Sequence, residues 1–101
     1  MKWVPVTFVR LYIMENEHLL KKIIDSLKKD TIRGASVFRA INGFGEEGMH
    51  PSSFMDLSLN LPLAVEFFDQ PEKISQALNS LNEFMKPEHV VCWNAQVNET
   101  D

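Results

Sequence analysis

Arg39, Asn42, Gly43, Phe44 and Gly45 place a guanidinium, a carboxamide and two glycine peptide N–H groups within seven residues. None of these groups is acidic, and glycine lets a backbone come close to a bound oxyanion. The set fits recognition of a small anion, with Arg39 and the Gly43 and Gly45 amides as donors and Asn42 and Phe44 beside them. Each residue also has a plainer use. The glycines can simply supply positive φ at a turn, a use that stands level with ligand approach. Arg39 can pair with Glu66 across adjacent strands, the commoner role for an arginine so placed.

Glu46, Glu47, His50, Ser52 and Ser53 follow in a segment too long for a tight hairpin, which needs only about two to five connecting residues. The stretch 43–54 therefore reads as an effector or partner surface, with those five residues as its contacts. His50 near two carboxylates is a weak metal candidate, because the spacing matches no strong ligand motif and His18 and His89 lie far away in sequence. Ser52 and Ser53 follow Pro51, a combination that makes turns, though both hydroxyls could meet a phosphate. No nucleophile stands beside an activating base, and no carboxylate pair is set up for acid–base chemistry, so no enzyme activity is expected.

These residues need a scaffold. From Val4 to Met14 the chain is apolar on both parities, with Phe8, Tyr12 and Met14 on one and Val9, Leu11 and Ile13 on the other. That predicts a central strand covered on both faces, with Arg10 in need of a partner. Asn16 is the expected N-cap of a helix whose stripe is Leu19, Leu20, Ile23, Ile24 and Leu27, with Lys21, Lys22, Asp25, Lys28 and Lys29 on the solvated face. A second strand is expected over Ala35 to Asn42. A third follows through Leu57, Leu59, Leu61, Leu63, Val65 and Phe67, with Pro62 marking a bulge, an edge or an end of pairing. Asp69 and Glu72 predict an N-cap and capping residue for a second helix burying Ile74, Ala77, Leu78, Leu81 and Met85. Pro87 stops it, and His89 to Val97 is a fourth strand in which Cys92 is expected to be a small buried hydrophobe.

The order β-α-β-β-α-β predicts an α+β, ferredoxin-like fold, a four-stranded antiparallel sheet with two helices on one face. The other face, carrying Phe8, Tyr12, Phe38 and Phe68, is left without cover, which predicts a homo-oligomer. At 101 residues, 45% hydrophobic and 24% charged, the chain is read as one domain, 1–101. A net charge of −4 argues against nucleic acid as a partner. The lone cysteine, with no secretory signal or membrane-spanning run, predicts a cytoplasmic protein. Arg39 and Asn42 invite comparison with acylphosphatases of the same coarse fold, but the phosphate-cradling loop after the first strand is absent.

Gly34, Val37, Arg39, Gly43-Phe44-Gly45, His50-Pro51-Ser52-Ser53-Phe54, Leu57-Ser58, Leu61-Pro62, Glu66, Asp69 and Glu72-Lys73-Ile74 together resemble Domain of Unknown Function 190. More distantly the chain is similar to the nitrogen-regulatory PII signal-transduction proteins. The resemblance implies a PII-like homotrimer whose sheets face the threefold axis, with clefts between subunits at the base of each long loop. It also implies a signalling protein that senses a small effector there, an adenine nucleotide being the candidate, and contacts a membrane transporter or regulatory protein through the loop 43–54. Two departures bear on this. Glu46 and Glu47 would repel a triphosphate unless a metal intervened. The glycine-rich, lysine-ended turn before the last strand of PII proteins is replaced by Lys86-Pro87-Glu88-His89. The alternatives are an effector-independent interaction module and a divalent-metal-binding trimer resembling the divalent-cation tolerance proteins.

Overall fold

Thirteen residues form β1 (Lys2–Met14), the longest element among the described residues. The computed structural model describes residues 1–43 and 61–100. After β1 come α1 (Leu20–Lys29), β2 (Ser36–Arg39), β3 (Pro62–Asp69), α2 (Pro71–Leu81) and β4 (Val90–Glu99). The four strands form one antiparallel sheet in the order β2-β3-β1-β4. This is the expected α+β, ferredoxin-like fold.

Alternation along β1 decides which side chains meet the helices. Val9, Leu11 and Ile13 stand opposite Phe67, Val65 and Leu63 of β3. All six are buried, and they form one cluster with Ile23 and Leu27 of α1, Ile74, Ala77 and Leu81 of α2, and Met85 just beyond it. Both helices therefore lie on the same sheet face, as right-handed crossovers require. The opposite parity is uncovered in the single chain, where Tyr12 is 44% and Phe38 53% exposed.

Several boundaries differ from those the sequence suggests. Asn16 does not cap α1; it lies in a 3-10 turn (Glu15–Glu17), and Leu19 holds the N-cap position. The chain reverses between the turn and α1 at His18, whose φ of 57° is left-handed. Asp69 is the last residue of β3, and Gln70 takes the N-cap position of α2 with Pro71 following it. The Asp69 carboxylate serves two chain segments, accepting the Gln70 N–H at 2.8 Å and the Arg33 N–H at 2.9 Å. β2 is shorter than Ala35 to Asn42 because its partner strand begins at Pro62. The Ala40 N–H still reaches the Pro62 carbonyl at 2.9 Å, and the chain bends after that. Pro62 thus marks an end of pairing, while Leu57 and Leu59 lie outside the described residues. Pro87–His89 form a 3-10 turn, so β4 starts at Val90. Cys92 is exposed, since β4 is an edge strand beyond the cover of the helices.

Candidate functional site

The sites of interest flank β1, one at its carboxyl end and one on the sheet's open face. At the carboxyl end, the extended chain passes from Met14 straight into the turn, which puts Glu15 beside the end of β2 and the start of β3. One Glu15 oxygen, Oε1, accepts the Arg39 Nε–H at 2.8 Å and the Leu61 N–H at 3.2 Å, and Arg39 Nη2 lies 2.8 Å from the same atom. The Glu15 N–H in turn donates to the Leu61 carbonyl at 3.2 Å. Glu15 therefore ties together the last residue of β2 and the residue entering β3. The pair is partly wet, with the Arg39 side chain 55% and the Glu15 side chain 28% exposed.

This placement corrects the expected Arg39–Glu66 pair. In register, Arg39 stands opposite Leu63 and Glu66 opposite Ser36. Glu66 instead faces Arg10, directly opposite it on β1, and accepts the Arg10 Nε–H. The partner that Arg10 requires is found; the partner of Arg39 is a residue that sequence reasoning passed over. Only its position at the end of β1, one residue past the ladder, signals it.

One other expected donor is also engaged. The Gly43 N–H donates to its neighbour's side chain, Asn42 Oδ1, at 2.8 Å. Gly43 does not have positive φ, and a Cβ there would meet only Pro62 Cγ at 3.9 Å, an ordinary contact. A turn conformation reserved for glycine is thus not what places it. Phe44, Gly45, Glu46, Glu47, His50, Ser52 and Ser53 lie outside the described residues.

On the open face, register stacks the side chains in rows. Phe8 sits between Phe68 and Trp93, its ring centroid 5.9 Å from the first and 4.7 Å from the second, with interplanar angles of 18° and 20°. The Arg10 guanidinium lies 5.3 Å over the Trp93 ring, and Arg33 lies 5.1 Å over Phe68. Arg10 is held further in its charged form by hydrogen bonds to Tyr12 and Glu66. In the next rows stand Arg10 with Glu66 and Val91, then Tyr12 with Ala64 and Phe38. An open groove of about 450 Å³ runs beside Arg33, Gly34, Ser36, Glu66 and Phe68 at the β2 edge.

Asp69 joins the helix side to this edge. Only 3% exposed, it faces Arg33 Nη2 at 3.5 Å and Lys73 Nζ at 3.7 Å, and Lys73 also donates to the Thr31 carbonyl at 2.6 Å. Burial pushes its carboxyl upward. The two backbone N–H bonds and the nearby cations outweigh that and hold it below the usual carboxylate range.

The family model described as Uncharacterized ACR, COG1993 (DUF190) matches residues 7–97, nearly the whole chain. The chain belongs to the DUF190 family. A UPF0166 protein of Methanocaldococcus jannaschii is 38% identical to this DUF190 chain over 72 residues, 71% of this chain and 67% of the relative. Among solved structures, CPII from Thiomonas intermedia K12, a nitrogen regulatory PII-like protein bound to ADP, AMP and bicarbonate, superposes with a TM-score of 0.75. Its identity is 17%, with 97% of this chain and 92% of CPII covered. The periplasmic divalent cation tolerance protein CutA of Archaeoglobus fulgidus is similar at a TM-score of 0.59 and 12% identity, with 94% and 86% covered. The DUF190 chain therefore has a PII-like fold. Among its described residues no helix is long and apolar enough to cross a membrane, and no three His, Cys, Asp or Glu side chains converge as a metal site.

Proposed function

We propose that this DUF190 protein is a PII-like trimeric regulator that binds a small anionic effector, an adenine nucleotide, in clefts between subunits at the base of the loop 43–54. The loop then contacts a partner protein. The observation that carries the reading is the position of Arg39 at the end of β2, more than half exposed and already coordinating an oxyanion, the Glu15 carboxylate. A guanidinium in that state accepts a phosphate or carboxylate of a ligand by exchange of one oxyanion for another. The likeness to CPII, described as bound to ADP, AMP and bicarbonate, supports the choice of ligand class. Glu46 and Glu47 in the sequence favour AMP or ADP over ATP, because fewer phosphates mean less repulsion.

The open aromatic face supports the assembly. Phe38, Tyr12, Val91 and Trp93 are each between 39% and 53% exposed in the single chain. An apolar patch of this kind on a small domain calls for burial against another copy. Calorimetric titration with AMP, ADP and ATP, each with and without bicarbonate, tests the effector, and light scattering tests the assembly. Binding of AMP or ADP that weakens at least tenfold in Arg39→Ala, on a particle of three chains, is the expected result. A monomer at micromolar concentration contradicts the assembly, and silence across the panel contradicts the effector.

A further inference from the structure

We infer that the Glu15 carboxylate is an internal competitor for the effector's anion, so that occupancy of Arg39 and retention of the Leu61 backbone are mutually exclusive. This rests on the reading of Arg39 as the anion donor and adds to it the means by which binding is reported to the chain. The argument starts from a single atom. Glu15 Oε1 receives both Arg39 contacts and the Leu61 N–H. An anion that takes the Arg39 fork draws that oxygen's strongest partner away. Glu15 then has a hydrated alternative, since its side chain is only partly buried.

The Leu61 N–H has less choice. Its bond to Glu15 Oε1 is at 3.2 Å and partly buried, and the reciprocal Glu15 N–H bond to the Leu61 carbonyl is equally long. Loss of the carboxylate leaves Leu61, just ahead of β3, held by the one backbone bond from the Glu15 N–H instead of by two hydrogen bonds. The next tie, Ala40 N–H to the Pro62 carbonyl, is unaffected and fixes where loosening stops. Exposed ion pairs are weak, so the competition is shallow enough for a ligand to win it. By reciprocity, whatever frees Leu61 must also strengthen anion binding.

Glu15→Gln tests this, because it keeps the shape and removes the charge. AMP and ADP affinity is measured by calorimetry in wild type, Glu15→Gln and Arg39→Ala, and exchange of the Leu61 amide is followed with and without saturating nucleotide. The expected results are nucleotide binding about two- to fivefold tighter in Glu15→Gln, and faster Leu61 exchange both in that variant and in nucleotide-saturated wild type. Binding seen only in Glu15→Gln also supports the inference. Nucleotide binding that is Arg39-dependent but unchanged by Glu15→Gln, or that leaves Leu61 exchange unaltered, overturns it while the effector reading stands. Absence of binding in wild type and Glu15→Gln alike overturns both.

Discussion

Arg10 and Glu66 face each other from neighbouring strands in the middle of the sheet's open face, and the same guanidinium lies over Trp93. Charge and aromatic surface are thus interleaved where the chain has no cover of its own. Arg10→Ala leaves Glu66 unpaired at the centre of the surface assigned to assembly, and a carboxylate buried alone is costly. The variant is expected to shift the protein toward smaller species in light scattering at micromolar concentration, with Glu66→Ala added to Arg10→Ala restoring part of the assembly. Wild-type assembly in the single variant would show that this face is not the interface.

Trp93→Ala removes the terminal ring of the Phe68–Phe8–Trp93 row, and Trp93 is 39% exposed in the single chain. If the face is buried between copies, the truncation loses far more than its monomer exposure suggests. The expected outcome is a trimer that dissociates on dilution at concentrations where the wild type holds. Analytical ultracentrifugation over a dilution series provides the check.

Leu11 is fully buried, stands opposite Val65, and belongs to the cluster shared by both helices. Leu11→Ala is expected to lower unfolding stability by about 2–5 kcal/mol, from lost burial and the cavity left behind. Urea midpoints compared at one protein concentration measure it, concentration being fixed because any self-association would contribute to stability.

Asp69 carries a pH dependence whose sign follows from its depressed pKa. The unfolded carboxyl titrates at about 3.9, and the folded one below that. The stabilisation is complete above the unfolded value and is lost as pH falls through the folded value. Asp69→Asn is expected to cost about 1–3 kcal/mol near neutrality by weakening buried hydrogen bonds. The gap to wild type should begin to narrow below about pH 4 and close as pH falls through the lower folded value, where Asp69 itself becomes protonated. Thermal unfolding from pH 7 to pH 2.5 reads this, and a gap that widens with acid would contradict the assignment.

Much of the scaffold is legible in the residues. Val9, Leu11 and Ile13 against Phe8 and Tyr12 announce a two-faced central strand, and Ile74, Ala77 and Leu81 announce a helix, because both patterns are local periodicities. The misplaced features are non-local. Asp69 looks like a cap from its neighbours, yet its carboxylate is also bonded to the Arg33 N–H, 36 positions away. Arg39 looks matched to Glu66 across adjacent strands, yet register sets it opposite Leu63 and within reach of Glu15. Cys92 looks buried from its strand neighbours and is exposed because β4 is an edge. Strand register and sheet order decide such partners, and neither is written in a short window of sequence.

The central claim is that an adenine nucleotide binds between subunits with its phosphate at Arg39. A crystal structure grown with AMP or ADP tests it most directly. The account predicts nucleotide density bridging two copies of the chain, a phosphate oxygen within hydrogen-bond distance of the Arg39 guanidinium, and Glu15 turned away from it. A trimer soaked at saturating nucleotide with the Glu15–Arg39 pair intact and the cleft empty would contradict it.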